Sequence, residues 1–90
     1  MAELSILNPD GSTRTATIDR PGLDDYYSLI GCHMIELIVL DDGREMIIDE
    51  NGKLNGAEPN PTATKEASGR LFPGDWISGI AVIQPEGTLE

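Results

Sequence analysis

The run from Cys32 to Leu40 is nearly continuous in apolar residues, broken only by His33 and Glu36, and it limits the fold more than any other stretch. It is far too short to span a bilayer, and Gly31 and Asp41-Asp42-Gly43 bound it, so it predicts a strand rather than a helix. Such a strand would be buried on one face along its length and on both faces at its end, which is the pattern of the middle of a sheet. Asp41-Asp42-Gly43 is a hairpin turn, and Glu45 to Asp49 returns as the antiparallel partner carrying Met46, Ile47 and Ile48.

The other segments are expected to fold around this hairpin. Glu3 to Leu7 and Ser12 to Ile18 alternate or are β-branched, and Asn8-Pro9-Asp10-Gly11 joins them with one φ fixed by Pro and a positive one open to Gly. Arg14, Thr15 and Thr17 make the second of these strands polar enough for a sheet edge. Leu23, Tyr26, Tyr27 and Ile30 recur at helical spacing, with Asp24 and Asp25 in the first turn and Gly31 as the stop. Asn60 can cap a short helix that begins at Pro61 and runs to about Ala67. Asp75 to Ile83 reads as the last strand, and Gln84 to Glu90 as a fraying tail. The order is β-β-α-β-β-α-β: an α+β fold, with a curled, mainly antiparallel sheet of about five strands and two short helices against one face. Residues 1–88 read as a single domain and Leu89-Glu90 as a vector-derived tail.

Only four residues are aromatic, Tyr26, Tyr27, Phe72 and Trp76, so the core must be filled mostly by aliphatic side chains. A domain of 90 residues buries roughly two-thirds of its unfolded surface, and with the lone Cys32 it has no internal disulfide to help. The start Met1-Ala2-Glu3-Leu4-Ser5 lacks the features of a secretory signal, and no run is long enough for a membrane span. A cytoplasmic protein is expected. Six basic residues against sixteen acidic ones give a formal charge of −10, which repels nucleic acid and anionic membranes. Neither direct nucleic-acid binding nor a membrane partner is therefore expected.

Chemistry-bearing patterns are weak. Asp49, Asn51, Gly52 and Glu58 fall on four places of a calcium-loop template, but its first ligand place holds Ile47 and Pro59 follows at once, so no metal site is expected. His33 has no partner at ligand spacing, and Cys32 beside it points to the opposite strand face, so the two cannot form a catalytic pair. The glycines at 52 and 56, and at 74 and 79, lack the Lys-Ser or Lys-Thr of a phosphate loop. No catalytic residue, cofactor or enzymatic activity is expected.

Gly31-Cys32-His33-Met34-Ile35-Glu36, Asp41-Asp42-Gly43, Asp49 to Gly56 and Asn60-Pro61-Thr62-Ala63-Thr64 together resemble a family of small bacteriophage and mobile-element proteins, domain of unknown function 3846. The resemblance spans about residues 4–83, is most specific from Asp49 to Pro61, and implies an accessory protein in the cytoplasm of a bacterial host. It supplies no catalytic residues.

Three binding readings follow. The first is a non-enzymatic accessory protein that binds and modulates a host macromolecule, expected to be a protein, through Asp24, Asp25, Asp41, Asp42, Phe72 and Trp76. For the two aromatics, closure of the core is the competing structural role, and it is the expected one. The second is capture of a small anion such as a nucleotide-like signal by Asn51, Gly52, Lys53 and Asn60, where backbone N–H groups and one cation converge. The third is an acidic DNA mimic, in which Asp24, Asp25, Asp41, Asp42, Glu45, Asp49 and Glu50 imitate phosphates, against the plainer role of keeping the protein soluble. Pairing of two copies through an edge strand would fit a domain this small.

Overall fold

Asn8-Pro9-Asp10-Gly11 turns the chain back as its composition predicts. The Asn8 N–H donates to the Ser12 carbonyl at 2.9 Å, and the Asp10 carboxylate accepts from the Ser12 N–H and hydroxyl. In the computed structural model, which describes residues 2–89, this turn joins β1 (Ala2–Leu7) to β2 (Thr13–Ile18). Helix α1 (Leu23–Ile30) begins where the Asp25 carboxylate accepts the Gly22 N–H at 2.8 Å, and it ends with the Gly31 N–H on the Tyr27 carbonyl. Strands β3 (Ile35–Val39) and β4 (Glu45–Asp49) form the second hairpin. Helix α2 (Pro61–Glu66), a 3₁₀ turn (Ser68–Arg70) and β5 (Ala81–Gln84) complete an α+β domain in the expected element order.

Among the described residues all four strand pairings are antiparallel, and the spatial order is β2-β1-β5-β4-β3. This corrects the placement of the Cys32–Leu40 run. It supplies an edge strand, and the last strand in sequence, β5, fills the middle between β1 and β4. The physical reason lies in the two faces: every residue of β5 is buried, whereas in β3 Glu36, Leu37 and Val39 are exposed. Cys32 and Leu40, at the ends of the apolar run, are buried beyond the paired segment.

Antiparallel partners share a face, so the registers assign every strand side chain to one of two layers. On one face Leu7, Met46, Ile48, Ala81 and Ile83 pack with Ala63 and Ala67 from α2 and its exit. On the other, Leu4, Ile6, Ile47 and Val82 pack with Tyr26 and Ile30 of α1. The helices therefore cover opposite faces rather than one, and the small Ala63 and Ala67 let α2 lie close to the sheet. Each fully buried Leu, Ile or Val here contributes about 1.5–3 kcal/mol of transfer free energy, and the two layers draw on the same three inner strands.

The last strand is also shorter than Asp75 to Ile83. Gly79 has φ +86, a left-handed conformation that breaks an extended run, and residues 77–79 pair instead with 58–60. The Asn60 N–H donates to the Ile77 carbonyl at 2.7 Å and the Gly79 N–H to the Glu58 carbonyl at 2.7 Å. The tail does not fray from Gln84. That residue is buried in β5, its amide accepts from the Tyr26 hydroxyl at 2.7 Å and donates to the Glu45 carboxylate at 2.9 Å. Glu45 in turn accepts the backbone N–H groups of Gly87 and Leu89, and the Leu89 side chain packs on the α1 layer. Burial alone would raise the Glu45 carboxyl, but the bonds from Gln84 and the 87–89 backbone outweigh it and hold it below its ordinary value.

Candidate functional site

Past Asp49 the chain makes a compact double turn that leans on the segment 76–79. Gly52 is buried there, and a Cβ at this position would stand 2.9 Å from the Ser78 carbonyl oxygen, so only Gly lets the two loops approach. The Asn51 N–H donates to the Asp49 carboxylate at 2.9 Å, the Gly52 N–H to the Asp49 carbonyl, and the Ala57 N–H to the Gly52 carbonyl. These bonds hold Lys53 and Leu54 opposite the segment 71–78. Between the two loops, over the α2 face of β3 and β4, lies a groove of about 320 Å³. Ile38 and Ile48 belong to its floor, Lys53, Leu54, Leu71 and Trp76 line its walls, and Glu36, Glu50 and Asp75 bring acids to it.

Trp76 is held rather than loose. Its indole N–H donates to the Ser78 hydroxyl at 2.9 Å, and the Lys53 ammonium sits 4.4 Å from the ring centroid. The same ammonium pairs with Asp75, and this bond with the Trp76 N–H keeps the Asp75 carboxyl below its ordinary value. The next turn carries Phe72, closed by the Asp75 N–H on the Phe72 carbonyl. Phe72 is 83% exposed, Leu54 88% and Trp76 45%, so neither aromatic closes the core. Leu71 and Ile77, which flank them, pack there instead. Correcting that expectation moves both aromatics to the surface, Trp76 on the groove and Phe72 on the turn next to it.

The anion-binding set is divided by the fold. Asn60 is fully buried: its side-chain oxygen caps α2 through the Ala63 N–H, and its amide donates to the carbonyls of Leu7 and Gly79. Each of those groups has a structural partner, so Asn60 leaves the candidate site. The N–H groups of Asn51 and Gly52 are engaged by Asp49, and Lys53 by Asp75. Of the four, Lys53 joins a surface that sequence reasoning had assigned separately to Trp76.

The acidic residues are dispersed too. Asp24 and Asp25 open α1 on the opposite face of the sheet, with Asp25 tied to Gly22. Asp41 and Asp42 form the β3–β4 turn, where Asp41 lies 3.4 Å from Arg70 and Asp42 2.7 Å from Arg44, which also reaches Glu66 at 3.0 Å. Bonds from Arg44 lower the Asp42 carboxyl. Glu45, counted with them on charge alone, is buried. Burial, and then the nearby Asp49, push the Cys32 thiol up, and its side chain is buried. Among the described residues no group of three or more His, Cys, Asp or Glu is placed to hold a metal ion, and no helix is long and apolar enough to cross a membrane.

Sequence reasoning missed Met34, Leu37, Val39 and Leu54, all large, apolar and exposed. For the three on the Cys32–Leu40 run the one readable signal was Glu36, a charge in the middle of a strand otherwise taken as central. No curated protein and no solved structure matches the chain. Residues 3–84 match the family described as domain of unknown function (DUF3846), nearly the whole of the folded sheet, and the chain belongs to that family.

Proposed function

We propose that this protein is a non-enzymatic accessory domain of phage or mobile-element origin that binds a protein of its bacterial host, in the cytoplasm, and modulates it. One observation carries the reading: an indole fixed by Lys53 and Ser78 stands with exposed Leu54 over a groove with Ile38 and Ile48 in its floor and acids at its rim, and exposed Phe72 lies on the adjoining turn. A rigid, half-exposed aromatic such as Trp76, with apolar neighbours and a charged rim, is what a binding hot spot is made of. The occupied amides of the 49–57 turn and the Lys53–Asp75 pair speak against anion capture at the same place. The pairing of Asp41 and Asp42 with arginines likewise weakens the case for imitation of a phosphate row.

The test is affinity capture from bacterial lysate, with retained proteins identified and each interaction rebuilt from purified components. A direct partner should bind the unaltered domain and lose about tenfold or more in affinity with Trp76→Ala, in keeping with an aromatic hot spot of 1.4 kcal/mol or above. Absence of any partner that survives reconstitution overturns the reading.

A further inference from the structure

Strand β3 pairs with β4 on one side, and among the described residues its other side has no strand. The hairpin fixes which backbone groups are left over. The Leu40 N–H donates to the Arg44 carbonyl and the Glu50 N–H to the Met34 carbonyl, so the even-numbered residues between them face β4. The N–H and C=O groups of Ile35, Leu37 and Val39 therefore point outward, a row of donors and acceptors ready to take another strand.

The side chains along that edge are equally one-sided. On the α1 face stand Ile35, Leu37 and Val39, with Leu37 42% and Val39 47% exposed, an aliphatic stripe that ends in solvent. On the α2 face stand Glu36 and Ile38, which open directly into the groove beside Trp76. The charge there is unbalanced. Glu36, Asp49, Glu50 and Asp75 face the groove against Lys53 alone, and Asp75 already engages that lysine.

These features belong to one surface, and we infer that it receives an extended, cationic segment of a protein partner, added to β3 as a further strand of the sheet. The inference rests on the partner-binding reading above and names the partner's chemistry. An added strand would place aliphatic side chains against Ile35, Leu37 and Val39 on one face. On the other it would place a Lys or Arg opposite Glu36 and a larger apolar side chain toward Ile38 and Trp76. A second copy of this chain could offer the backbone, but it would bring its own formal charge of −10 and another Glu36 to an already acidic edge. Charge complementarity thus selects a basic segment over self-pairing.

The probe is a fluorescein-labelled, end-capped peptide of alternating character, Arg-Val-Lys-Val-Phe-Val-Lys, with heptalysine as the charge-only control. The alternating peptide should bind about tenfold or more tightly than heptalysine and should slow amide exchange at Ile35, Leu37 and Val39. Leu37→Lys and Glu36→Lys should each weaken it by about tenfold, while Glu3→Lys, the same charge change on β1, should not. Equal affinity for both peptides, or equal weakening by Glu36→Lys and Glu3→Lys, would mean long-range charge alone and overturns the inference. So does a sedimentation mass of two chains with β3 amides already protected before peptide is added. A host protein that is captured directly but is indifferent to Leu37→Lys sinks this inference and leaves the proposed function standing. Peptide docking on β3 in a domain that captures no protein does the reverse.

Discussion

The two edges of the sheet solve the same problem in opposite ways. Among the described residues β2 and β3 each have a strand on one side only. β2 reads Thr-Arg-Thr-Ala-Thr-Ile and is mostly exposed, with hydroxyls and a guanidinium along a strand that offers a visiting chain little to bury. β3 reads Ile-Glu-Leu-Ile-Val and is exposed nearly as much, yet it shows solvent aliphatic side chains. Edge strands usually blunt pairing with charge and polarity, as β2 does. The contrast teaches that edge position sets exposure while the sequence sets what is exposed: the same position in the sheet carries a polar chemistry on one side and an aliphatic one on the other.

The comparison can be broken by stability measurements, beginning with the largest effect. Ile47→Ala, in the inner strand facing Leu37, should cost about 2–5 kcal/mol in chemical denaturation, while Leu37→Ala should cost about 1 kcal/mol or less. Similar losses at both positions would mean that β3 is not peripheral. Glu45 gives the next effect, since it ties the inner end of β4 to the tail. Glu45→Gln should lose about 1–3 kcal/mol at neutral pH, because buried amide donors are left with a weaker acceptor. The pH dependence has a definite sign. A carboxyl held below its ordinary value contributes stability that is complete above the unfolded carboxyl's titration range and is lost as pH falls through the folded one. Acid unfolding should therefore be steeper in the native chain than in Glu45→Gln, read as the slope of midpoint against pH.

Smaller effects sharpen the contrast between the edges. Leu37→Lys should change stability by about 1 kcal/mol or less and lower the binding of a hydrophobic dye, because it gives β3 the polarity that β2 already has. The reciprocal change, Thr15→Val with Thr17→Val, should leave folding nearly unaltered and raise self-association at high salt, where the repulsion between acidic copies is screened. If the valine pair leaves sedimentation unchanged while the native β3 also shows no tendency to pair, apolar character at an edge is not what makes it sticky here.

How far the fold was legible follows from which patterns are local. α1 was readable residue for residue, because Leu23, Tyr26, Tyr27 and Ile30 share one helical face and Gly31 is a local stop. The Asn8–Gly11 turn and the polar edge β2 were readable for the same reason. Asn60 was recognised as a cap, and its second assignment as an anion ligand failed because its amide is spent on Leu7 and Gly79, distant in sequence. Trp76 and Phe72 went astray because an aromatic beside a turn looks the same whether the turn faces the core or solvent. Lys53 and Trp76 were each singled out, but no spacing rule brings residues 53 and 76 together.

What the sequence determined by itself was the set of elements, their order and the acidity of the chain, since hydrophobic period, caps, turns and charge are all properties of neighbours. The tertiary structure alone decided that β5 fills the centre and the Cys32–Leu40 run the edge. Strand order depends on which elements can bury both faces at once. The four buried residues of β5 do so between α1 and α2, and β3, with Glu36 in its middle, is left at the edge with its aliphatic side chains half in solvent.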